Sequence, residues 1–144
     1  MKTKLLITLI LIGLFSCSTT KNVSKNVKQT LLDDNTFVVT EISSDPSYGL
    51  SPKNPVEVGS EDSGPKNERR YLNALSGPNG EVISYYRSGS CCPIKSDKAI
   101  FGNSVMLDNY RVTWEGSKDT VSIYINMYDS GKLMAPKGFG INKN

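Results

Sequence analysis

The clearest run of pattern along the chain lies near its C-terminal end. Tyr110, Val112 and Trp114 alternate with polar residues, and after Gly116–Asp119 so do Val121, Ile123, Ile125 and Met127. Two segments of period two around a short polar loop predict an antiparallel hairpin with one apolar face. The other face, with Tyr124, Asn126 and Tyr128, is read as half wet or covered by the helix. Earlier, Thr36-Phe37-Val38-Val39-Thr40-Glu41-Ile42 is dense in β-branched residues and predicts a first strand. Three prolines and a glycine then make residues 45–55 a loop, and Val56 to Val58 a short edge strand. Pro65 suits the first turn of a helix, with Glu61 and Asp62 close to its positive end. That helix is expected to run to about Leu75 and to bury Tyr71, Leu72, Ala74 and Leu75. Its first half is polar throughout, so only the last turns are expected to pack inward. Gly77-Pro78-Asn79-Gly80 is a turn signal, and Val82 to Ser88 follows as a strand.

These elements assemble into an α+β domain over residues 36–144. An antiparallel sheet of four or five strands carries one packed helix. An open sheet and an incomplete barrel remain alternatives.

The N-terminus has a different character. Lys2 and Lys4 precede an apolar stretch from Leu5 to Phe15, which ends in Ser16-Cys17. A basic start, an apolar core of roughly 7–15 residues and a small residue at the break are the parts of a secretory signal. A membrane span needs about 20 apolar residues, and Lys21 and Asn22 follow too soon. An ordinary signal cleaved near Ser16 is the other alternative. Leu14-Phe15-Ser16-Cys17 resembles the lipobox of bacterial lipoproteins, with Phe15 where Ala or Ser is usual. That resemblance implies cleavage after residue 16 and acylation, palmitate included, of Cys17. Ser18, rather than Asp, then implies sorting to the outer membrane, and no acidic cluster suggests surface export, so the periplasmic face is expected. Residues 17–35, rich in Ser, Thr, Asn and Lys, read as a flexible tether. A short amphipathic helix through Val23, Val27, Leu31 and Leu32 is the alternative.

Composition narrows the chemistry. Losing residues 1–16 takes Lys2 and Lys4 from the 17 basic residues and leaves 15 against 14 acidic ones. So near-neutral a balance offers no nucleic-acid footprint. The chain has no histidine, which removes Ser-His-Asp and Cys-His nucleophiles and the commonest metal ligand. An enzyme is disfavoured, and no cofactor or metal is expected. Cys91 and Cys92 are adjacent, so a bond between them closes an eight-membered ring. A structural vicinal disulfide bracing a turn, two reduced or intermolecularly paired thiols, and a redox or metal-linked role all stay open. The spacing is not Cys-x-x-Cys. Lys66, Arg69, Arg70 and Arg87, with Lys95, form a possible anion-binding group, against a solvated helix face. Glu61, Asp62, Glu68, Asp108, Glu115 and Asp129 show no paired spacing. Tyr85, Tyr86, Tyr110, Trp114, Tyr124 and Tyr128 are candidates for a ring-stacking surface or, more simply, cross-strand packing.

From about Tyr48 onward the chain resembles a family of small bacterial lipoproteins of unknown function. The residues that carry this run from Gly64-Pro65-Lys66-Asn67-Glu68-Arg69-Arg70-Tyr71 to Leu75, with Gly77-Pro78-Asn79-Gly80 and Ser90-Cys91-Cys92-Pro93. Tyr124 to Asp129 and Ala135-Pro136-Lys137-Gly138-Phe139 complete the pattern. The resemblance brings no catalytic residues. It implies a lipid-anchored binding or structural module, attached to the membrane through Cys17, with an unidentified protein or glycan partner. Proteins of this family often bear the label 2-dehydro-3-deoxyphosphooctonate aldolase. Enzymes of that name are (β/α)₈ barrels of about 250 residues, which a mature chain of 128 residues with one helix does not reach.

Overall fold

The structure is a computed structural model and describes residues 27–143. The expected signal peptide and lipobox, with Cys17, lie outside the described residues. The architecture is α+β: one helix and short strands around a mostly antiparallel sheet. In chain order the elements are β1 (Leu31–Asp33), β2 (Thr36–Phe37), β3 (Val56–Glu57), α1 (Gly64–Asn73), β4 (Leu75–Ser76), β5 (Ile83–Lys95), β6 (Ser104–Trp114), β7 (Val121–Asn126) and β8 (Gly140–Ile141).

The main sheet has the order β3-β7-β6-β5, with β5, β6 and β7 antiparallel and β3 added parallel to β7. The expected hairpin is β6–β7. Its register sets Tyr110 opposite Ile123 and Val112 opposite Val121, so the two apolar stripes share one face. Helix α1 packs there: Tyr71, Leu72, Tyr110, Val112, Ile123 and Ile125 belong to one buried core. Ala74 and Leu75 are buried with them, as the pattern implies. Gly77 accepts from the amide of Gly80 across 3.0 Å and so closes the expected turn.

Three expectations need correction. The polar first half of α1 packs inward as well: Gly64, Asn67, Glu68 and Arg70 are buried. Helical geometry puts 64, 67, 68, 71 and 72 on one side whatever their polarity, and Asn67, Glu68 and Arg70 each make hydrogen bonds there. Second, of the strand expected over Thr36–Ile42 only Thr36–Phe37 is a strand, paired with β1, while Ile42 makes an isolated parallel bridge to Ala135. Of residues 38–42 only Val39 is buried, and the neighbour of the last two is the segment around Ala135. Ala135 donates to the Glu41 carbonyl at 2.9 Å and accepts from Ser43 at 2.8 Å. Third, Leu31–Asp33, placed in the tether, is a strand against the domain. Gln29 Nε2 reaches Ser130 Oγ at 3.1 Å and the Gly131 carbonyl at 2.7 Å.

The strand expected over Val82–Ser88 is almost twice as long. Residues Ile83–Lys95 form β5, with register shifts between Arg87 and Gly89 and between Cys91 and Pro93. Each shift is a bulge that takes up one extra residue, Ser88 in the first and Cys92 in the second. Gly140 lets β8 approach β4: a Cβ there would lie 2.8 Å from the Gly77 carbonyl oxygen.

Candidate functional site

The most unusual chemistry is an acid cluster between α1 and the sheet. Asp108, in the middle of β6, points to the helix side with Tyr110. Arg87 on β5 grips it in a two-point pair, Nε to Oδ2 at 2.6 Å and Nη2 to Oδ1 at 2.8 Å. Ser90 Oγ donates to Oδ1 at 2.8 Å. The bulge at Ser88 sets Ser90 opposite Asp108, which makes that bond available. Burial raises the Asp108 pKa, but the bonds from Arg87 and Ser90 outweigh it and hold the carboxyl below its usual range. The same pair raises the pKa of Arg87.

Glu68 comes down from α1 onto this group. It is fully buried, its Oε2 accepts from the Tyr110 hydroxyl at 3.0 Å, and when protonated it hydrogen-bonds the Asp108 carboxylate. Desolvation, and then the neighbouring carboxylate of Asp108, push its pKa up to about 7. The arrangement is a carboxylate held charged beside a carboxyl that burial and the neighbouring charge together keep protonated into the neutral range. It binds the helix to the sheet. Its solvent side is formed by the half-exposed side chain of Arg87 and by Ser90, which is exposed on the edge strand.

The second feature is a half-open cleft of about 440 Å³ on the other side of α1. Phe37 and Val58 form apolar wall, while Asp62, Arg70, Lys98 and Tyr128 bring polar groups to it. Arg70 is the hub of this side. Its Nε donates to the Asp34 carbonyl at 2.9 Å, and Nη1 donates to Asn67 Oδ1 at 2.9 Å and Asp62 Oδ2 at 3.1 Å. The guanidinium also lies over the Phe37 ring, 5.9 Å from its centroid.

The basic residues therefore do not converge. Arg70 faces the cleft and Arg87 the acid cluster, each committed to carboxylate or carbonyl partners. Arg69 is exposed and acts electrostatically on Tyr85 and Tyr110. Lys66 is half-buried on α1, and Lys95 is exposed at the end of β5. The aromatic residues are largely packing. Tyr85 meets Tyr110 edge-on at 6.1 Å between centroids, and Trp114 meets Phe139 at 5.3 Å. Only Tyr128 of the six lines the cleft.

Cys91 and Cys92 form a vicinal disulfide, with Cα atoms 3.7 Å apart. They occupy the second bulge of β5, inside a strand and not a turn. Cys92 has φ +55°, a conformation rare for residues with a side chain. Both are half-buried, and neither lines the cleft. Among the described residues no cluster of three or more Cys, Asp or Glu is placed to hold a metal ion. No helix among them is long and apolar enough to cross a membrane.

Sequence reasoning missed the pairing of Glu68 with Tyr110 and of Arg87 with Asp108. A signal for the first existed, since Glu68 stands three and four positions before Tyr71 and Leu72 and thus on their side of the helix. The second depends on a bulge that no local pattern marks. Comparison with family models, with curated proteins and with solved structures yields no match.

Proposed function

We propose that the protein is a lipid-anchored envelope lipoprotein, held at the periplasmic face of the outer membrane through acyl chains on Cys17. Its domain acts as a binding or structural module. The signal-like start, the lipobox and the resemblance to small lipoproteins support the anchor. The observation that carries the binding reading is the cleft beside α1, whose apolar walls and charged rim are the usual make-up of a ligand site. In the acid cluster, in contrast, the carboxyls and Tyr110 are buried and only Arg87 and Ser90 reach solvent. One helix on a mostly antiparallel sheet also leaves the aldolase label without a barrel to support it.

The test is metabolic labelling of the full chain in a bacterial host with radiolabelled palmitate, followed by membrane fractionation. Label should enter the wild type in the outer-membrane fraction and be absent from Cys17→Ser. A wild type without label would overturn the anchor. For binding, Tyr128→Ala and Lys98→Ala should abolish retention of a ligand from envelope glycans or peptides that the wild type retains. Equal retention by both variants would move the site elsewhere.

A second reading, thiol–disulfide chemistry, is favoured by one observation. The Cys91–Cys92 bond sits on the edge strand β5, within reach of solvent, with Cys92 at φ +55°. A dithiol partner would reduce the bond to two thiols and itself become a disulfide. Faster reduction by dithiothreitol than of an ordinary surface disulfide supports it, and an equal or slower rate removes it.

A further inference from the structure

Ile100 and Phe101 are adjacent at the tip of the β5–β6 hairpin and are 85% and 89% exposed. No other two neighbouring large apolar side chains among the described residues stand so far into solvent. The tip is an ordered turn and not a frayed one. Ser96 donates its amide to the Asn103 carbonyl at 3.1 Å, and its hydroxyl accepts from the amide of Lys98 at 3.0 Å. Burying two such side chains would be favourable, so a built turn that keeps them out of the core points to an external apolar phase.

Three observations identify that phase. The first is the position of the chain's entry. Ser96 Oγ donates to Asp129 Oδ1 at 2.9 Å, and Val27 donates its amide to the carbonyl of the next residue, Ser130, at 3.4 Å. Lys98 and Val27 also line the same cleft. The hairpin tip and the point where the chain enters the domain thus lie at one end of the molecule. The second is length: Cys17 stands ten positions before Val27, and ten residues span at most about 36 Å in any conformation. The third is charge. Lys95 and Lys98 flank the tip and Lys28 lies at the chain entry, all exposed, against Asp97 on the tip and Glu61 in the shared cleft, with Asp62 paired to Arg70. Apolar side chains ringed by lysines suit the boundary between acyl chains and anionic headgroups.

We infer that the β5–β6 tip is a second membrane contact, with Ile100 and Phe101 inserted into the leaflet that holds the acyl chains. This rests on the anchor proposed for Cys17 and adds an orientation to it. The tip faces the bilayer, and the turn at Gly77–Gly80, at the far end of the 13-residue β5, faces away, about 40 Å off.

The test uses the full acylated chain in vesicles of phosphatidylethanolamine and phosphatidylglycerol. A nitroxide is placed at Ala99→Cys, and in a second sample at Asn79→Cys. The native pair Cys91–Cys92 is bonded and does not take the label. At 99 the ratio of oxygen to nickel-chelate collision rates should rise several-fold over that at 79. Adding Ile100→Ser and Phe101→Ser should return the probe at 99 to the value at 79, with circular dichroism unchanged. A water-like ratio at 99 overturns the inference. So does shielding from both reagents that grows with protein density, which means that a second copy covers the tip. The mass of the N-terminal peptide from the same sample reports acylation separately. If acyl chains are absent, a lipid-like ratio at 99 still supports insertion and overturns only the anchor, and a water-like ratio overturns both.

Discussion

The hydroxyl of Tyr110 donates to Glu68 Oε2 across 3.0 Å and so joins the middle of the sheet to the middle of the helix. Glu68 is wholly buried there, and its carboxyl faces that of Asp108, already claimed by Arg87 and Ser90. Two carboxylates so close in a site of low dielectric cannot both stay charged at little cost. Glu68 is the one that takes the proton.

The consequence is a stability that falls as pH rises. Burial first, and Asp108 second, lift Glu68 from its ordinary 4.5 to about 7. Between these values the folded chain binds more protons than the unfolded one, so stability drops with pH. The contribution is complete below about 4.5 and lost by about pH 8. A shift of this size corresponds to about 3 kcal/mol. Asp108, held below its usual range, works in the opposite sense, and only at pH values under 4. Urea unfolding from pH 5 to 8 should show the fall in the wild type. Glu68→Gln should flatten it and be the more stable protein at pH 8. A wild-type profile that is level or rising across this range would contradict the neutral carboxyl.

Removing the cation from the same cluster should be costly. Arg87→Ala leaves the 4%-exposed Asp108 without its partner, beside Glu68. Breaking a fully buried pair costs about 3–5 kcal/mol, and with Arg87 half in solvent we expect about 2 kcal/mol in chemical denaturation. The double variant Arg87→Ala/Asp108→Asn should regain a good part of this, because no charge is then left behind. Additive losses in the double variant would mean that charge is not the cause.

The parts of the fold legible in the sequence are those where pattern and partner are local. Tyr110 to Met127 announces its hairpin because both strands and the loop lie within 18 residues, and Pro65 with Tyr71-Leu72 announces the helix. Strand β5 was legible only to Ser88. Gly89, the adjacent Cys91-Cys92 and Pro93 interrupt the alternation, yet the sheet absorbs them by giving Ser88 and Cys92 no partner on β6. The first of these bulges also explains why the acid cluster escaped notice. Ser90 faces Asp108 only because the register slips by one residue. Glu68 escaped for a different reason: a charged residue on a helix is read as solvated unless its buried partners, here Tyr110 and Asp108, are already known. Leu31-Leu32-Asp33, short and exposed, has no pattern that separates strand β1 from the coil before it.

The vicinal disulfide should matter little to global stability. Its closed loop is the shortest possible, so it restrains the unfolded chain by about 1 kcal/mol at most. Alkylation of the unreduced, denatured protein should modify neither Cys91 nor Cys92, and after dithiothreitol both. Two thiols modified without reductant would show the pair to be open. The backbone at Cys92 makes a sharper expectation. At φ +55° a glycine is at ease and an L-residue is not. Cys91→Ser/Cys92→Gly should therefore be more stable than Cys91→Ser/Cys92→Ser by about 1 kcal/mol. The reverse order would mean that the left-handed conformation belongs to the disulfide alone.

Arg70 should decide whether the first strands stay attached. Its side chain is only 6% exposed and reaches the Asp34 carbonyl, Asn67, Asp62 and the Phe37 ring at once. Those bonds use the planar fork of the guanidinium, and an ammonium cannot reproduce them. Arg70→Lys should therefore behave much like Arg70→Ala. The strands β1 and β2 meet the rest of the protein mainly through α1. The first effect should thus be local opening, with global unfolding weakened less. Native-state hydrogen exchange should show Val38, whose amide bonds Thr30 at 2.8 Å, losing protection by tenfold or more in both variants. The amide of Val58, bonded to the Asn126 carbonyl at 3.0 Å, should keep most of its own. Equal loss at Val38 and Val58 would place Arg70 in the global core, and full rescue by lysine would mean that its charge, not its geometry, holds the strands.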